Sequence, residues 1–185
     1  MHPAPAREYV TSPGLVIAGF DPSIASAGLC VIERRPNGYR KLHHKVIKTS
    51  SAKPIPARVG AIADHLSSVF REYHPSLLVV EEQLGVQTGK RREGEGFNSD
   101  SPKTVGAAYA AMCCAHLFGL SVVEVHPATA KVAVLGRGGG KAEKKRVQQV
   151  VASILGERLA LDASDAAAMA IYGFQLSPNE RRKAG

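Results

Sequence analysis

Apolar runs alternate with amphipathic stretches along this chain. Leu15 to Phe20 is an apolar run ending at Asp21, and Ala27 to Glu33 is a second, rich in small and β-branched residues. Both read as strands. Pro36-Asn37-Gly38 is a turn signal, and Leu42 to Ile47 follows as a third strand. These three predict an antiparallel meander. Val59, Ile62, Leu66, Val69 and Phe70 then recur at helical spacing, and Pro75 closes that helix. Leu77-Leu78-Val79-Val80 is continuously apolar, as in a strand covered on both faces, and it delivers Glu81 and Glu82.

The second half is mostly helical. Thr104 to Phe118 predicts a helix of small residues ending at Gly119, and Ser121 to Val125 another strand. Pro127 to Leu135 starts a helix that Gly136-Arg137-Gly138-Gly139-Gly140 breaks. Ala142 to Leu155 carries Val147, Val150, Val151 and Ile154 on one face, with Gly156 suited to its C-cap. A last helix spans Asp162 to Phe174. Three strands, helix, strand, helix, strand and then helices is the order of a ribonuclease H-like α/β fold, a mixed five-stranded sheet flanked by helices. No internal repeat appears. We expect a lead over residues 1–13, one domain over 14–176 and a basic tail over 177–185. Between Gly85 and Ser101 the chain is polar and glycine-rich, a long loop of the kind that carries function.

Composition narrows the partners. The 185 residues hold 24 Lys and Arg against 16 Asp and Glu, a net charge of +8, which favours a phosphate-rich partner. The three cysteines are odd in number, two of them adjacent, and form no Cys-x-x-Cys pair. This argues against a disulfide framework or a thiolate zinc site. No apolar run reaches membrane-spanning length and the N-terminus lacks a signal-peptide core, so a cytoplasmic protein without a membrane partner is expected.

Against that basic background stand four acids: Asp21 and Glu81 at strand ends, and Asp162 and Asp165 three apart on one helix face. Asp162 equally suits a helix N-cap. In the expected sheet the first strand lies beside the fourth, making Asp21 and Glu81 neighbours. Two such charges about 4 Å apart repel by roughly 4 kcal/mol at an effective dielectric near 20. Divalent cations relieve that repulsion. Oxygen donors without cysteine select Mg²⁺, with Mn²⁺ as substitute, and two such ions can hydrolyse a phosphodiester. Six basic residues and one acid lie between Lys131 and Arg146, so Lys141, Lys145 and Arg146 are candidate contacts for the phosphates of a nucleic acid, with Lys90, Arg91 and Arg92 in the long loop. His126, at a strand end, reads as structural.

The motifs also carry a resemblance. Gly19-Phe20-Asp21-Pro22-Ser23, the stretch from His74-Pro75 to Val80-Glu81-Glu82-Gln83, and Asp162-Ala163-Ser164-Asp165-Ala166 together resemble the RuvC family of Holliday-junction resolvases. Lys48-Thr49-Ser50 and Arg58-Val59 resemble some bacterial members. The resemblance implies a homodimer with two active sites that nicks opposing strands of a four-way junction symmetrically. It implies that Asp21, Glu81, Asp162 and Asp165 are the catalytic, metal-binding acids, with Glu81 preferred to Glu82 by its distance from Pro75. It places the family's DNA-contacting lysines at Lys131 and Lys144, and admits a branch-migration helicase as a partner. The family often has an aromatic just after the glutamate motif; here the chain reads Leu84-Gly85, and Phe97 in the following loop is the candidate junction wedge. Two alternatives stand beside this reading: a broader nuclease of forks, flaps and three-way DNA, and a non-catalytic module that binds DNA structures.

Overall fold

The computed structural model describes residues 14–83 and 101–176. Lys90, Arg91, Arg92 and Phe97 lie outside the described residues, as do the lead and the tail. The strands are β1 (Val16–Asp21), β2 (Ser26–Arg35), β3 (Gly38–Lys48), β4 (Leu77–Glu81) and β5 (Ser121–Val125). The α-helices are α1 (Ile55–Tyr73), α2 (Ser101–Leu117), α3 (Pro127–Leu135), α4 (Lys144–Leu155) and α5 (Leu161–Gln175). The third strand is longer than its apolar run because its outer half is polar yet pairs fully with β2. The fourth helix starts two residues later than expected, since a short 3₁₀ turn over Gly139–Lys141 precedes it.

One five-stranded sheet has the order β3-β2-β1-β4-β5. The first two pairings, β1 with β2 and β2 with β3, are antiparallel; β1 with β4 and β4 with β5 are parallel. The meander is therefore present, and the crossover helix α1 brings β4 beside β1. Left-handed His74 ends α1, and Pro75 prevents its continuation.

Strand alternation divides the core in two. Ala18, Phe20, Leu29, Val31, Leu78 and Val80 face α1 and α2. Ile17, Cys30, Ile32, Leu77 and Val79 face α3, α4 and α5. Counting by twos from Ile17 reaches Gly19 and Asp21, and from Leu77 reaches Glu81. Both strand-end acids thus point to the α5 side. On that side α5 lies directly on the sheet. A Cβ on Gly19 would fall 1.9 Å from the Ala166 carbonyl oxygen, and one on Gly28 would fall 2.1 Å from that of Asp162. Only glycine permits this approach, and the alanines Ala163, Ala166, Ala167 and Ala170 keep the facing helix surface shallow.

Candidate active site

The backbone contact of α5 at Gly28 places Asp162 above the end of β2, and Asp165 follows one turn later over β1. Asp21, Asp162 and Asp165 each offer an oxygen within 4.8 Å of the others. Glu81 stands outside that triplet but shares its cleft, a cavity of about 210 Å³ lined also by Asp21, Asp165, Lys131 and Lys144. Glu82 does not line it; its amide hydrogen bonds to the Val125 carbonyl, extending the sheet edge.

Lys144 is the cation of this cluster. Its Nζ lies 2.8 Å from Asp165, 3.1 Å from Asp162 and 3.6 Å from Asp21. Burial by itself disfavours the lysine charge. The hydrogen bonds to Asp165 and Asp162 and the attraction of Asp21 outweigh it and hold the ammonium above its usual range. Even so, one ammonium does not neutralise four carboxylates. Burial, then the charge of Glu81, pushes the Asp21 carboxyl up to about 7, with Asp165 and Asp162 adding to the effect. Burial and then Asp165 raise Glu81 as well. The site has a deficit of positive charge that a divalent ion fits. Among the described residues its donors are carboxylate oxygens with no thiolate, which suits Mg²⁺ or Mn²⁺.

Asp162 is not a helix cap. Ala160 holds the N-cap position, and the Asp162 carboxylate instead accepts hydrogen bonds from Ser26 Oγ at 2.8 Å and from Lys144. Ser26 shares the strand parity of Gly28 and Cys30, which turns its hydroxyl to the α5 side. The loop after Asp21 is pinned from below. Buried Arg58 donates to Thr49 Oγ1 at 2.8 Å and to the Ile24 carbonyl at 3.1 Å, and the Thr49 hydroxyl donates to the same carbonyl. Reading residues one by one missed Ser26, and Arg58 entered only through a motif. An internal arginine on an otherwise apolar helix face was the available signal.

The basic residues divide. Lys131 reaches from the cleft wall to donate to the Ala142 carbonyl at 2.8 Å, bracing the linker between α3 and α4. Lys141, Lys145 and Arg146 are exposed beside it. His126 caps α3, accepting from the Ala128 amide on Nδ1, in keeping with its structural reading.

Comparison with known proteins places this arrangement. The sequence profile of the family described as Crossover junction endodeoxyribonuclease RuvC matches residues 17–173. A curated relative of the same name from Citrifermentans bemidjiense is 33% identical over 160 residues, covering 85% of this chain and 90% of that protein. Thermus thermophilus RuvC superimposes with a TM-score of 0.70 at 31% identity, over 91% of this chain and 97% of that one. The T. thermophilus protein in complex with a Holliday junction substrate gives 0.69 at 30% identity, over 86% and 93%. The match runs from β1 through α5 and takes in all four carboxylates, so this chain belongs to the RuvC family of crossover junction endodeoxyribonucleases.

Proposed function

We propose that this chain is a Mg²⁺-dependent endonuclease that resolves Holliday junctions by paired nicks in opposing strands, during recombination and repair. The observation that carries the reading is the three-aspartate cluster with Glu81 in the same cleft, beside the exposed Lys141, Lys145 and Arg146. Its family relatives, one of them solved on a junction, supply the substrate class.

Asp21, Asp162 and Asp165 are the residues that would hold a cation, with Glu81 completing the set. Two divalent ions bound there would activate a water and stabilise the leaving oxygen of a phosphodiester. The rest is the work of the chain. Ser26 fixes the orientation of the Asp162 carboxylate, and Arg58 fixes the loop after Asp21. Burial excludes water from the Asp21 side of the cleft, which strengthens every charge interaction inside it. Lys144 is positioned to hold a non-bridging phosphate oxygen over the acids. Lys141, Lys145 and Arg146 hold the flanking backbone. Symmetric cleavage requires two sites, and hence a dimer. The exposed face of α2 supports one: Tyr109 is 50% and Leu117 81% exposed, with Cys113 between them. Leu117→Asp should give monomers in sedimentation, and an unchanged dimer would move the interface elsewhere. A cytoplasmic location and a branch-migration helicase as partner for moving the junction belong to the same proposal.

The test is a nicking assay on a labelled synthetic four-way junction, with three-way and linear duplexes alongside, with and without Mg²⁺. Metal-dependent, symmetric nicking confined to the four-way substrate is expected. Equal rates on linear duplex would refute junction specificity. Tight binding without nicking in either Mg²⁺ or Mn²⁺ would leave only a binding module.

A further inference from the structure

A second concavity adjoins the catalytic cleft. It is a cavity of about 460 Å³ formed by the linker between α3 and α4, lined by Arg137, Lys141 and Arg146 around a floor that includes Leu135 and Gly139. No acidic residue lines it. Among the described residues none of these three cations has an ion-pair partner.

The linker is shaped, not slack. Gly138 has a φ of +85°, a backbone conformation open chiefly to glycine. A Cβ on Gly139 would lie 2.4 Å from the Leu135 Cβ, and one on Gly140 would lie 3.1 Å from the Ala128 Cβ. Gly139 and Gly140 therefore let the linker press onto α3, and Gly138 supplies the turn before them. Lys131 locks it there through the Ala142 carbonyl, and Ala142 is itself part of the cavity wall. Lys131 lines the catalytic cleft and its amine bonds to Ala142, which lines the second cavity, so this one hydrogen bond ties the two together.

The charges run against local helix electrostatics. Lys144 is met by the aspartates, but Lys145 and Arg146 also occupy the first turn of α4, where the helix dipole disfavours cations, and no side chain caps that end. Such a local conflict is expected where a ligand supplies the missing charge. The ligand that fits is an anion, small and repeated along a chain that also passes the cleft.

We propose that this cavity is a phosphate subsite: Arg137 and Lys141 hold one backbone phosphate of the DNA strand whose neighbouring phosphodiester enters the carboxylate cleft. The proposal rests on the DNA-cleaving reading above and adds Arg137 to its contacts.

The experiment measures binding of a fluorescent four-way junction in EDTA across a salt series. The proteins compared are the full chain, the double variant Arg137→Gln/Lys141→Gln, and the charge-neutral Gly139→Ala. Arg34→Gln/Arg35→Gln is charge-matched to the double variant and lies at the far end of β2. Losing one phosphate contact should reduce the slope of log K against log salt by about 0.9. We expect that loss, with several-fold weaker binding, in the double variant. We also expect weaker binding in Gly139→Ala, whose charge is unchanged, and no change in slope for the Arg34/Arg35 pair. Equal losses in the two charge-matched variants would overturn the subsite in favour of a general field. Unaltered binding by Gly139→Ala, with its fold verified by circular dichroism, would overturn a shaped pocket. A chain that binds and nicks junctions while the double variant keeps its full slope refutes the subsite alone. A chain that neither binds nor nicks refutes the functional reading and the subsite together.

Discussion

Asp21→Asn removes the charge that the folded chain tolerates least. Its carboxyl titrates near pH 7 in the fold against 3.8 in a flexible chain, a difference of about 3 units. The fold therefore keeps a proton that the unfolded chain has already released. Stability falls as pH rises from about 4 to about 7 and stays lowered above that. At about 1.36 kcal/mol per unit, the ionised carboxylate opposes folding by roughly 4 kcal/mol at pH 8.5, and by only about 1.5 at pH 5. Asparagine keeps the shape and abolishes the titration. The variant should therefore be more stable than the unaltered chain in EDTA, and its advantage should grow by about 2–3 kcal/mol between those two pH values. Urea denaturation at pH 5 and pH 8.5 reads this directly. Nicking should be lost in the same protein. Millimolar Mg²⁺ should raise the stability of the unaltered chain at pH 8.5 and leave the variant nearly unmoved, because only the former gains a counter-ion by linkage. An advantage that is equal at the two pH values, or a variant less stable at pH 8.5, would refute the account of charge crowding.

Other substitutions probe the frame around the acids. Gly28→Ala puts a methyl against the Asp162 carbonyl oxygen and should cost about 1–3 kcal/mol in urea denaturation, with cleavage lost although no charge has changed. Ser26→Ala removes a 2.8 Å hydrogen bond to Asp162. It should weaken Mn²⁺ binding on the order of tenfold by calorimetry, with about 1 kcal/mol lost in stability. Lys144→Gln takes the ammonium from three aspartates; it should lower the melting temperature in EDTA, and added Mn²⁺ should stabilise this variant more than the unaltered chain.

Much of the frame was readable because periodicity states it. The continuous apolar runs of β1 and β4 and the order of the elements placed Asp21 and Glu81 at the ends of adjacent strands, and in the sheet parity aims both at one face. The three-residue spacing of Asp162 and Asp165 put both on one side of α5. Tertiary contact hid the rest. Asp162 suited an N-cap as well as a metal site because capping is local, whereas its partners Ser26 and Lys144 lie far away in sequence. Lys144 read as a phosphate contact, but nothing local reveals that its amine reaches into the aspartates. Lys131 likewise read as a DNA contact, while its amine is committed to a carbonyl of the linker. The polar half of β3 carries no apolar alternation, so only its pairing with β2 defines it.

The glycines under α5 have a further consequence. Where a helix meets a sheet through side chains, its height depends on which side chains fill the gap, and each core substitution shifts it slightly. Here α5 touches β1 and β2 through peptide groups, whose dimensions no substitution alters. The distance between the strand acids and the helix acids is thus gauged by covalent geometry. Leu, Ile, Val and Met can be exchanged elsewhere in the two cores without changing that gauge. A catalytic spacing held in this way can persist through extensive sequence drift, provided that two positions without side chains are left alone.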